Sequence, residues 1–156
     1  MDIEVLREQL LQLLDGRNAH ITFDNAVAKI PMTHINAHVP NIPYSLWELL
    51  EHMRIAQYDI LDFIININYK ERKWPQDYWP PSGAEANEEN WGSTLKKFQD
   101  DFEALKEIVK DPNTDFTGPL SHAPEYTILR EIMLVADHNA YHTGQIIVLR
   151  RALKIY

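Results

Sequence analysis

Between Tyr126 and Leu153 the chain lays down one helical face, Ile128, Ile132, Val135, Ile146, Leu149 and Leu153, and sets His138 and His142 into the middle of it. Apolar residues recurring at three- and four-residue steps define an amphipathic helix, here one long enough to span a whole bundle. Its apolar face must be covered by other elements, and two imidazoles placed within that face must find partners.

Three further segments carry the same periodicity. Ile3 to Leu14 places Val5, Leu6, Leu10, Leu13 and Leu14 at helical spacing before Asp15-Gly16 stops it, and a short pattern from the N-cap candidate Thr22 runs on to Pro31. The two pieces read as one interrupted first arm. Ser45 caps a strong helix from Leu46 to about Ile67, whose stripe is Leu46, Leu49, Leu50, Met53, Ala56, Ile60, Leu61 and Ile64, with His52 at its edge. A third helix is expected from about Ala86 to Val109, burying Trp91, Leu95, Phe98, Phe102 and Leu105. The segment 68–86 is too long for a tight turn and lacks helical period, so it reads as a crossover rich in aromatic side chains. Residues 118–124, with Gly118, Pro119 and Pro124, read as a loop. With no convincing strand, repeat or linker, the expected fold is all-α: residues 1–156 as a single antiparallel four-helix bundle with crossover topology.

Composition narrows the chemistry. Cysteine is absent, so any metal is held by nitrogen or oxygen, and no disulfide or cysteine nucleophile exists in this sequence. A formal net charge of -8 argues against binding nucleic acid or anionic membranes. Arg150, Arg151 and Lys154 complement the dipole at the end of the last helix. No stretch resembles a secretory signal or a membrane span, and a cytoplasmic setting is expected.

His138 and His142, four residues apart, project from one side of their helix and can bind a single ion. That spacing alone is weak, but His52 holds a comparable position on another core helix, and a bundle interior can bring ligands from facing helices together. The candidate ligand set is therefore His52, His138 and His142. Three neutral imidazoles suit one Zn, Ni or Fe ion, with Cu also compatible, and leave a position open for water or substrate. Asn139 stands where a His-Glu-x-x-His metalloprotease carries its general base, and Leu49, Val135 and Asn139 stand where di-iron bundles carry Glu. Glu48 and Gln145 are candidates to orient the ligands, with Asp59, Glu131 and Asp137 also in reach. His20, between the two pieces of the first arm, is the candidate proton carrier, whereas His34, His38 and His122 fall in loops. Tyr44, Trp47, Trp79 and Tyr141 are expected to line a substrate pocket, with Trp74 and Tyr78 as further roof residues.

The stretches Ser45-Leu46-Trp47-Glu48-Leu49-Leu50-Glu51-His52, Tyr78-Trp79-Pro80, Leu129-Arg130-Glu131 and Asp137-His138-Asn139-Ala140-Tyr141-His142-Thr143-Gly144-Gln145 resemble the DinB-like family of damage-inducible bacterial bundle proteins. The resemblance covers nearly the whole chain in order. It implies an up-down-down-up bundle with a three-histidine metal site at His52, His138 and His142, and a homodimer. Related branches include metal-dependent enzymes that use low-molecular-weight thiols. The expected function is thus a metal-dependent small-thiol transferase or hydrolase, with Arg54 or Arg150 as contacts for an anionic thiol. The alternative is a noncatalytic, stress-induced metal or small-ligand binding protein.

Overall fold

A computed structural model describes residues 2–16 and 19–156 of the chain. Among these residues five α-helices form, four of them long: α1 (Ile3–Asp15), α2 (Phe23–Val27), α3 (Leu46–Ile65), α4 (Glu88–Lys110) and α5 (Ile128–Ala152). None is long and apolar enough to cross a membrane.

Local chemistry sets the boundaries. Thr22 Oγ1 accepts from the Asn25 amide to start α2. Ser45 Oγ accepts from the Glu48 amide while the Glu48 carboxylate accepts from the Ser45 amide, so α3 opens on a reciprocal capping box. At α4 the expected start moves two residues onward, because Asn87 is the cap and Ala86 is held in a nonhelical strut by both ends of the Asn36 amide. Gly16 ends α1 in the left-handed conformation, φ 64°, which its missing Cβ permits without strain.

The strictly all-α expectation is corrected at 119–127. Pro119–Leu120 (β1) and Ala123–Thr127 (β2) pair antiparallel and deliver the chain into α5 at Ile128 rather than Tyr126. Leu120 and Ala123 turn inward beneath this hairpin, which gives a stretch too short for periodicity a reason to be extended.

α3 packs against both α4 and α5, and α1 covers the remaining sides of α4 and α5, while α2 lies on α5. Thr94 donates to Glu51 and Gln57 donates to the Phe98 carbonyl, so α3 and α4 run the same way. His52 meets His142 while Gln57 meets Asn139, so α3 and α5 run oppositely. Arg7 binds the Val109 and Asp111 carbonyls, and Lys106 pairs with Asp15, setting α1 antiparallel to α4. The crossover from 66 to 87 must return the chain along the length of α3 to allow that parallel pair.

The apolar interior has two parts. One gathers Leu46, Leu49, Leu50 and Met53 with Trp91, Phe98, Ile146 and Leu149; the other gathers Leu10, Leu14, Leu61 and Ile64 with Leu105, Val109, Phe116 and Ile132. Between them lies a polar layer in which Gln57, 1% exposed, bridges the Phe98 carbonyl and the Asn139 side chain.

Candidate metal centre

The three histidines meet at the edge of that polar layer. α3 supplies His52 from its second turn, and α5 supplies His138 and His142 one turn apart. His52 and His142 are buried and His138 is half-buried. The His52 Nε2 atom lies 3.2 Å from His142 Nε2 and 3.3 Å from His138 Nε2. One ring nitrogen from each residue falls within 4.8 Å of the other two.

The His52–His142 contact is not an ordinary hydrogen bond. His52 Nδ1 lies 2.8 Å from the Tyr78 carbonyl, which can only accept, so Nδ1 carries the proton and Nε2 a lone pair. His142 Nδ1 likewise donates to Gln145 Oε1 at 2.7 Å. Two lone pairs therefore face each other with no proton between them, an arrangement that a shared cation relieves. Protonation is disfavoured. Burial pushes all three pKa values down, and His138 falls to about 3, from burial first and then from His142 and His52. Four-coordinate zinc with Zn–N of about 2.05 Å places nitrogen pairs about 3.3–3.4 Å apart, close to the two separations seen here. The donor set fits one divalent transition metal.

The outer positions are only partly those expected. Gln145 orients His142, and the partner of His52 is the backbone of Tyr78, in the crossover. Trp79 stacks flat on the His52 ring, centroids 4.1 Å apart and planes 4° apart, which fixes the ring from its face. Glu48 is not a partner of His52: it closes the capping box and pairs with His38 at 3.4 Å. Asp59 accepts from the Tyr69 and Tyr78 hydroxyls and forms an ion pair with Arg72, and Asp137 is exposed.

All three histidines line one cavity of about 840 Å³. Trp79 and Tyr141 line it too, the latter edge-on to His142 at 4.9 Å. Tyr44 stands behind Trp79, stacked at 5.5 Å, and Trp47 belongs to the buried core. His20 lines a different cavity, of about 480 Å³, beside Gly16, Phe102 and Thr143, because the segment after α1 lies against α4. Its Nδ1 bonds the Ile21 carbonyl. Arg54 is bound to Glu51 through both its Nε and Nη2, and Arg150 is buried on the Ala26 carbonyl, so neither faces the histidine cavity. The walls that sequence reasoning missed are Phe63, Tyr69 and Tyr126. Phe63 follows His52 by eleven residues, three helical turns, and that spacing was the available signal.

Comparison of the chain with protein-family models, with curated proteins and with solved structures found no match in any of the three.

Proposed function

We propose that this protein binds one divalent transition metal, zinc, nickel or iron, through His52, His138 and His142 and uses it as a metal-dependent enzyme of the small-thiol transferase or hydrolase type. The four long helices fit an up-down-down-up bundle of the DinB-like kind, in which α3 and α4 form the parallel pair, and a homodimer belongs to the same proposal. The observation that carries the reading is the convergence of three Nε2 atoms on a point that also opens into the cavity. A metal held there supplies a Lewis acid able to lower the pKa of a water or a thiol.

The chain's own residues would do the rest. Tyr78 and Gln145 hold the imidazole tautomers that leave Nε2 free. Trp79 keeps the His52 ring from rotating, and the aromatic walls give the reacting groups an apolar surround. A noncatalytic binding protein remains the second reading. The size of the cavity at the trio favours catalysis, since a sealed structural site needs no such space.

Elemental analysis of the purified protein is expected to give about one metal per chain and a loss of at least about 90% in His52→Ala and His142→Ala, as removal of one of three ligands requires. Wild-type metal content near zero after reconstitution, or full content in both variants, overturns the metal reading. A metal-loaded protein that turns over no thiol with electrophilic acceptors and no small ester or amide overturns the enzymatic reading and leaves the binding one.

A further inference from the structure

The cavity in front of the trio has two chemically different ends. On α3, Asp59 stands seven residues after His52; on α5, Glu131 stands seven before His138. Because these helices run oppositely, both displacements point the same way, and seven residues of helix cover about 10.5 Å. Asp59 and Glu131 line the same cavity as the histidines. A nitrogen-rich end thus faces a carboxylate end, with aromatic rings between them. At the rim Trp74 and Tyr141 are 69% and 63% exposed, large ring surfaces left to water.

The charges are unevenly divided. Among the described residues Asp59, Glu71, Glu125 and Glu131 line the cavity with one arginine, Arg130. Asp59 is satisfied by Arg72 and two tyrosine hydroxyls. Glu131 is not: its side chain is 2% exposed, Oε1 takes Arg130 at 2.7 Å, and Oε2 takes no hydrogen bond among the described residues. Glu131 lines the cavity, so a partner for that oxygen can come from there. A carboxylate withdrawn from bulk water with one oxygen unfilled is costly unless a cation or donor completes it.

We propose that the cavity takes a small organic cation: an ammonium or quaternary ammonium group on an apolar or aromatic body about 10 Å long, its charged end at Glu131 and its other end at the histidines. Aromatic faces attract such a cation through their negative quadrupoles, and with Arg72 and Arg130 paired to Asp59 and Glu131 the remaining carboxylates, Glu71 and Glu125, add a favourable field. In the metal-free protein small anions are turned away by that same excess of negative charge. The assignment of the histidine end rests on the metal reading; the cationic end does not.

The test uses the full chain, zinc-loaded and chelator-treated, titrated with phenethylammonium, benzyltrimethylammonium and 3-phenylpropionate while the fluorescence of Trp74 and Trp79 is followed. Both cations are expected to bind the chelator-treated protein about tenfold more tightly than the anion. That preference should fall by about threefold or more in Glu131→Gln and in the exposed rim pair Glu71→Gln with Glu125→Gln. The rim pair carries the test should the buried variant fail to fold. Equal or tighter binding of 3-phenylpropionate to the chelator-treated protein, where no zinc can take its carboxylate, or a preference unchanged in the rim pair, overturns the proposal. Zinc retained without cation preference sinks this inference alone, whereas cation preference without zinc sinks the metal reading alone.

Discussion

A histidine set into an apolar helical face must place both ring nitrogens, and His52 and His142 do so in the same way: Nδ1 to a carbonyl oxygen, Nε2 to the common point. Their depressed pKa values set a direction for acid sensitivity. Taking His138, the folded value is about 3 and the ordinary value 6.5, so between those limits the unfolded chain binds more protons. Stability of the metal-free protein should therefore be undiminished above about pH 6.5 and fall as pH drops through that window, by at most about 1.4 kcal/mol per unit for each such histidine. Denaturation of chelator-treated protein between pH 7 and pH 4 measures it, with His138→Ala expected to be less pH-dependent than wild type. An equal slope in that variant would count against buried neutral imidazoles. The trio was legible in the sequence because four-residue spacing and an apolar stripe survive folding unchanged. The partner of His52 was not, since a backbone carbonyl supplied by residue 78 leaves no trace in residue type.

Glu48 shows how an element can claim a side chain that looks functional. Four residues before His52 it is well placed to reach the imidazole, yet Ser45 at the cap takes it, because the first amides of α3 have no partners within the helix. Ser45→Ala should cost about 1 kcal/mol of stability while leaving zinc affinity within about twofold, since the cap lies outside the coordination geometry. Chemical denaturation and a zinc competition titration read the two quantities separately; a tenfold loss of zinc affinity would return Glu48 to the site. The helices themselves were readable to within two or three residues at most ends, through Thr22, Ser45 and Gly16. The β1–β2 hairpin was not, because two paired residues on one side and five on the other carry no alternation that a sequence can display.

At the scale of the molecule the core is divided, with two apolar clusters on either side of a layer built from Gln57, Asn139 and the histidines. Within that layer the Asn139 Oδ1 atom is buried without a partner among the described residues, so its own hydrogen bonding is incomplete there. In the joint between α3 and α5 the His52 and His142 imidazoles turn lone pairs toward each other, and a metal there would convert that repulsion into a bond across the two helices. Because the unfolded chain does not hold three imidazoles together, binding adds directly to folding stability: about 2.7 kcal/mol at a free zinc concentration one hundred times the Kd. For a chain of this size that corresponds to a rise in Tm of about 5–11 °C. The rise should be absent in His52→Ala, while Leu49→Ala, which opens a void in the apolar cluster beside the trio, should lower Tm yet keep most of the zinc increment. Thermal denaturation of the three proteins with and without zinc decides the matter. An increment that persists without His52 would mean that the ion binds elsewhere and that the two helices are joined by packing alone.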